Sequence, residues 1–236
     1  MLDRNHHIGH GRLLKLKRRH FNALAAIGLS MGACSIALSQ PAQAQSASRP
    51  PLILVVGDSL SAEYGLQRGK GWVALMEERL RQEKVSAQVV NASISAETTS
   101  GGRSRLPALL RQHQPALVLI ELGGNDALRG LPLTMTRDNL ATMTRLSREA
   151  GAKVLLLGME MPPNYGARYA QEFREVFPTV AKAEGAALVP FFLKNVADTS
   201  DPLKLFQSDR IHPNESAQPI MLANVWPEMR KLLPKR

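Results

Sequence analysis

The 236-residue chain has a single cysteine, six histidines, two tryptophans and three tyrosines. One cysteine excludes an intramolecular disulfide framework and any zinc site built on several thiolates. Aromatic residues make up only 5% of the chain, which argues against an aromatic platform for sugars and against a basic face interleaved with rings for nucleic acid. Residues 21–38 are apolar but rich in small side chains, too poor in large aliphatics for a convincing membrane span. There are no internal repeats, heptads or low-complexity tracts beyond the leader. At 44% hydrophobic and 21% charged, with 17 Gly and 15 Pro, what remains has the makeup of an ordinary globular protein of one large or two small domains.

The formal net charge of +10 suggests an anionic partner until its placement is examined. Arg4, Arg12, Lys15, Lys17, Arg18 and Arg19 face one acid, Asp3, in a leader that also carries His6, His7, His10 and His20. The apolar stretch follows, then polar residues 39–43 and the small-residue pattern Ala42-Gln43-Ala44. The expected organisation is a secretory signal at 1–44, cleaved after Ala44, a short linker at 45–51 and one domain at 52–236. Two export variants stay open. Arg18-Arg19-His20-Phe21 is similar to a twin-arginine signal, and Met31-Gly32-Ala33-Cys34 is an imperfect lipobox. An uncleaved anchor helix is the bland alternative. Cleavage after Ala44 removes half of the net charge and Cys34. The mature chain would then have no thiol for nucleophilic or redox chemistry and two histidines, His113 and His212.

Aliphatic runs at 52–56, 88–90, 116–122, 153–157 and 187–189 read as buried strands. Between them, Trp72, Leu75, Met76 and Leu80, then Leu106, Leu109 and Leu110, then Leu140, Met143 and Leu146 recur at helical spacing. Further helices are expected over 169–184 and 215–233, the last kinked at Pro227. Alternation of this kind predicts a doubly wound α/β domain whose function collects at the carboxyl ends of its strands.

Polar motifs fall at those ends. Gly57-Asp58-Ser59-Leu60-Ser61 puts a serine on a tight turn, as a nucleophile needs, though a capping serine would look the same. In Asn91-Ala92-Ser93-Ile94-Ser95-Ala96-Glu97-Thr98-Thr99, small residues can leave backbone N–H groups free, or simply cap a helix beginning near Arg103. Gly123-Gly124-Asn125-Asp126 offers close backbone approach and a neutral amide donor; it is also ordinary turn chemistry, and it lacks the spacing of a phosphate-cradling loop. Asp209-Arg210-Ile211-His212-Pro213 places an acid three residues before one of the two remaining histidines. His113, in Arg111-Gln112-His113-Gln114-Pro115, reads as a solvated or capping group at a helix end. Taken in order, nucleophile, loop donor, amide donor and acid-oriented base meet the requirements of acyl transfer.

With these blocks the chain resembles the SGNH, or GDSL, hydrolases, specifically the periplasmic esterase, thioesterase I and lysophospholipase L1 group, over nearly all of residues 52–233. The resemblance implies a single flavodoxin-like, three-layer αβα domain around about five parallel strands, and metal-free, cofactor-free hydrolysis through an acyl-serine. It implies Ser59 as nucleophile, His212 as general acid/base and Asp209 as its orienter. The oxyanion hole would be the N–H groups of Ser59 and Ala96 and the side chain of Asn125.

Two positions depart from the family pattern, Ala96 and Glu63, where the family has glycine. Ala96 keeps the N–H; a positive φ there would cost its methyl about 1 kcal/mol. Glu63 adds a carboxylate near the nucleophile loop and is expected to act on His212. Residues 128–133, together with Met161, Pro162 and Tyr165, offer apolar surface that in the resembled group lines an acyl groove. The expected substrates are therefore small-molecule fatty acyl esters, thioesters and lysophospholipids, with transient lipid contact, no nucleic acid and a monomeric enzyme. A carbohydrate acetyl esterase, and a catalytically weak secreted binding protein of the same fold, are the alternatives.

Overall fold

The computed structural model describes residues 50–161 and 163–234. The signal, twin-arginine, lipobox and anchor-helix readings lie outside the described residues.

Five strands follow the expected runs to within two residues: β1 (Leu52–Gly57), β2 (Gln88–Asn91), β3 (Leu117–Glu121), β4 (Lys153–Leu157) and β5 (Ala187–Val189). All neighbours pair in parallel, in the order β2-β1-β3-β4-β5. The central strands are aliphatic on both faces because helices cover both. Ile53 to Val56 of β1 and Leu119 and Leu155 of the neighbouring strands are fully buried.

The helices among the described residues are α1 (Trp72–Gln82), α2 (Thr99–His113), the short α3 (Gly124–Leu128), α4 (Leu133–Glu149), α5 (Ala167–Glu184) and α6 (Gln218–Leu232). Helix α1 packs against α6 on one face, and α2, α4 and α5 lie side by side on the other. Of the apolar positions read from the sequence, Trp72, Met76 and Leu80 on α1, Leu106 and Leu110 on α2, and Leu140 and Met143 on α4 are buried, while Leu75, Leu109 and Leu146 are half-buried against the core. Each of the buried side chains contributes about 1.5–3 kcal/mol by leaving water. Buried hydroxyls on α4 are satisfied locally, Thr144 donating to the Leu140 carbonyl and Ser147 to that of Met143, both at 2.8 Å.

Three features differ from the sequence reading. Helix α2 starts at Thr99, not near Arg103, because the Thr98 side chain caps it by accepting from the Gly101 N–H. The Gly-Gly-Asn-Asp segment is not a plain turn, since Gly124-Asn125-Asp126 opens α3. The last helix is divided into a 3₁₀ turn, Glu215–Ala217, capped by Asn214, and then α6, which continues through Pro227 to Leu232.

The strand order reverses between β2 and β3 around β1, so a crevice opens beyond the carboxyl ends of β1 and β3. Cα pairing sets Gly57 opposite Glu121 at that edge. A side chain at Gly57 would collide with the Ser61 hydroxyl at 2.7 Å and the Glu121 carboxylate at 2.9 Å, so glycine leaves the room those two side chains occupy.

Candidate active site

Ser59 follows β1 directly, and His212 reaches it from the turn that precedes α6. The Ser59 Oγ lies 2.9 Å from His212 Nε2, and His212 Nδ1 lies 2.6 Å from Asp209 Oδ2. A carboxylate can only accept, which assigns the ring proton to Nδ1 and leaves Nε2 to accept from the serine. The second Asp209 oxygen accepts from the backbone N–H groups of Ile211 (2.9 Å) and His212 (3.0 Å). The His212 N–H above all, with the Ile211 N–H and the imidazole, pulls the Asp209 carboxyl down to about 2. The turn that makes this compact geometry holds Arg210 at φ +59°. The Tyr64 ring lies 4.4 Å from the imidazole, centroid to centroid.

Of the three expected oxyanion donors, two are free backbone N–H groups and the third is an engaged amide. Neither the Ser59 nor the Ala96 N–H has a partner among the described hydrogen bonds. Ala96 does adopt the left-handed conformation, φ +64°, held on both sides. Arg129 donates to its carbonyl at 3.0 Å, and next door Glu97 pairs with Arg105 at 2.8 Å while Arg105 also donates to the Ala92 carbonyl. The Asn125 amide is already engaged, donating to Asp58 Oδ2 at 2.9 Å and to the Glu97 carbonyl at 3.1 Å. One of those bonds must be exchanged before Asn125 can serve a substrate oxygen.

Asp126 is fully buried and ties α3 to the start of α2, accepting from the Thr99 N–H at 2.9 Å and from the Thr99 hydroxyl. Asn91, at the end of β2, holds the nucleophile loop through its 2.7 Å bond to the Ser61 carbonyl. Gly123, at φ +118°, makes the bend from β3 into α3 that sets Asn125 in place.

Beneath Ser59 lie two further acids to which the sequence reading gave no role. Asp58 is 3% exposed and Glu121 1%. Asp58 accepts from the Leu60 N–H at 3.0 Å as well as from Asn125; Glu121 Oε2 accepts from the Ser61 hydroxyl at 2.8 Å and the Asp58 N–H at 3.3 Å. The Ser61 hydroxyl in turn accepts from the Trp72 indole at 3.2 Å. Burial raises the Asp58 carboxyl to about 6, and burial followed by the Asp58 charge raises that of Glu121. The available signal for Glu121 was a lone acid closing the aliphatic run Leu117-Val118-Leu119-Ile120.

Other expectations fare differently. Met161 is a core residue, 8% exposed, and offers no rim: its unbranched side chain is packed with the interior cluster. Pro162 lies outside the described residues. Tyr165 closes the 3₁₀ turn Pro163–Tyr165 and is exposed, as is Leu128. The Glu63 carboxylate is turned away from the role expected for it. It accepts from the N–H groups of Gly69 and Gly71 and closes its own loop. His113 is the last residue of α2, half-buried at the helix end.

A hydroxyl, an imidazole and a carboxylate in series, beside two unpaired N–H groups at the carboxyl edge of a doubly wound sheet, are the parts of an α/β acyl hydrolase. The model of the GDSL-like lipase/acylhydrolase family matches residues 55–218. The chain is 50% identical over 210 residues to esterase TesA of Pseudomonas aeruginosa, covering 89% of this chain and all of that one. It is 44% identical over 169 residues to thioesterase 1/protease 1/lysophospholipase L1 of Escherichia coli K12, covering 72% of this chain and 78% of the other. A crystal structure of TesA superposes with a TM-score of 0.74 at 53% identity, covering 77% of this chain and 99% of that one. The chain therefore belongs to the GDSL-like lipase/acylhydrolase family.

Proposed function

We propose that this protein is a serine hydrolase that cleaves carboxylic esters and thioesters of fatty acyl groups. The observation that carries the reading is the Ser59–His212–Asp209 relay, 2.9 Å and 2.6 Å in its two links. Ser59 attacks the acyl carbonyl as His212 Nε2 takes its proton. His212 then returns that proton to the leaving alcohol or thiol, and water repeats the two steps to release the acid. Asp209 stays ionised, holding the tautomer and balancing the transient imidazolium.

The tetrahedral oxygen takes the Ser59 and Ala96 N–H groups. Asn125 gives up its bond to the Glu97 carbonyl for that oxygen and keeps its bond to Asp58. Tyr165 and Leu128 are the exposed apolar residues that would meet an acyl chain. The names of the relatives, esterase and thioesterase/lysophospholipase, favour acyl esters and thioesters over acetylated sugars. The basic leader and small-residue site at Ala44 support export with cleavage, and the enzyme acts as a monomer with transient lipid contact.

The test is a chain-length series of p-nitrophenyl esters beside an acyl-CoA, a lysophospholipid and an acetylated glycan, each with the wild type and Ser59→Ala. Hydrolysis of the acyl substrates, abolished in Ser59→Ala, is expected. Turnover that survives in the variant rejects the reading, and preference for the acetylated glycan replaces it with the sugar esterase.

A further inference from the structure

Two carboxyl groups lie side by side under the nucleophile, Glu121 Oε2 accepting from the backbone N–H of Asp58 at 3.3 Å. Both are buried, and neither has an ion-pair partner among the described residues. Two adjacent anions without a cation are costly in such a place, and one shared proton removes most of the cost.

The hydrogen bonds decide where the proton resides. Asp58 has donors on both oxygens, the Leu60 N–H on Oδ1 and the Asn125 amide on Oδ2. Glu121 has both of its donors on Oε2, and its Oε1 is buried with no partner. An ionised carboxylate with one oxygen cut off from every donor is the worse anion; a protonated one uses that oxygen to donate. The titratable groups that face the pair are each other and the His212 imidazole, which bears on Asp58 and favours its charge.

We propose that Glu121 is a positioning residue that carries a proton at its otherwise unpartnered Oε1 and shares it with the Asp58 carboxylate, which in turn holds the Asn125 amide toward the serine. Gly57 keeps the space open for the Ser61 hydroxyl and Glu121 Oε2. Glu121 touches no substrate. It fixes the charge on Asp58, and Asp58 fixes the donor that must turn from the Glu97 carbonyl to the oxyanion.

The inference rests on the ester-hydrolase reading only in its kinetic arm. Infrared difference spectra of the wild type against Glu121→Gln at neutral pH form the first arm. The wild type should show the carbonyl stretch of a buried carboxylic acid, absent from the variant. A wild-type spectrum without that band overturns the proposal whether or not the protein cleaves esters.

In the kinetic arm, the glutamine amide can donate to Asp58 and accept from Ser61, so kcat should stay within about threefold of wild type with KM unchanged. Glu121→Leu fills the space without a donor and should lose at least about tenfold in kcat with KM little altered. A glutamine variant as impaired as the leucine one overturns the proposal. Should Glu121→Leu fail to fold, thermal unfolding decides. As pH rises above 4.5, the ordinary glutamate value, the wild type should lose Tm relative to Glu121→Gln, and parallel curves overturn the proposal.

Discussion

Asp209 and the Asp58–Glu121 pair are carboxyl groups that serve the same serine, and they behave in opposite ways. Asp209 sits on a surface turn, 36% of its side chain exposed, with two backbone N–H groups and an imidazole directed at it. Its charge is solvated and bonded, so its pKa falls. Asp58 and Glu121 are sealed between β1, β3 and the nucleophile loop with neutral donors only, and theirs rise. Donor count and access to water, not residue type, separate a permanent anion from a group that keeps a proton. In the proposed reaction the outer acid tunes the base, and the inner pair sets the amide donor.

The sharpest way to break the outer half is Asp209→Asn. It preserves the shape but favours the wrong imidazole tautomer, and kcat should fall by about 10⁴ with KM little changed, read by steady-state kinetics. On the inner side, Asn125→Ala removes the donor that Asp58 holds. A loss of roughly 3–4 kcal/mol in the barrier, several hundredfold in kcat, is expected, and an unchanged kcat would remove Asn125 from the site.

The two halves also predict opposite pH limbs of stability. The folded-state value of Asp209, about 2 against 3.8, means that its stabilising contribution is complete above 3.8 and disappears as pH falls through about 2. That of Asp58, about 6 against 3.8, means that stability is greatest below 3.8 and declines as pH rises through about 6. Denaturation curves across this range should show Asp58→Asn flattening the upper limb by up to about 3 kcal/mol. Asp209→Asn should flatten only the acid limb, and by less, because its exposed charge is screened. The smallest effect expected is at Ala96. Relieving its left-handed methyl in Ala96→Gly should leave kcat unchanged or modestly raised; a loss beyond tenfold would mean that its N–H is not an oxyanion donor.

The strands were legible because each is built on an aliphatic run that stops at a glycine, an asparagine, an acid or a proline, and the parallel, doubly wound arrangement followed from their alternation with 3.6-period helices. Ser59, Asn125, Asp209 and His212 were legible because chemistry restricts which residue types can fill those places. Other features were hidden for identifiable reasons. Glu121 belongs to a strand whose pattern is hydrophobic, and only the three-dimensional pairing with Gly57 sets it against Asp58. The capture of Glu63 by Gly69 and Gly71 depends on a loop conformation with φ +59° at Glu63 itself, for which side-chain spacing carries no signal. Met161 looked like rim because it is an apolar residue just past the fourth strand, yet a flexible thioether can turn inward and fill the interior.

Ser59 and His212 are 153 residues apart in the chain, and the sheet between them pairs its strands wholly in parallel. The bond that joins them therefore forms only when strands from both ends of the domain have found their places, a late event in a fold of long-range contacts. Under the proposed mechanism, a chain still emerging from synthesis or translocation, or one truncated before the turn that carries His212, would have a serine without its imidazole and should cleave no ester. Ester cleavage would then report complete folding, and its recovery after dilution from denaturant should lag behind the return of helical signal.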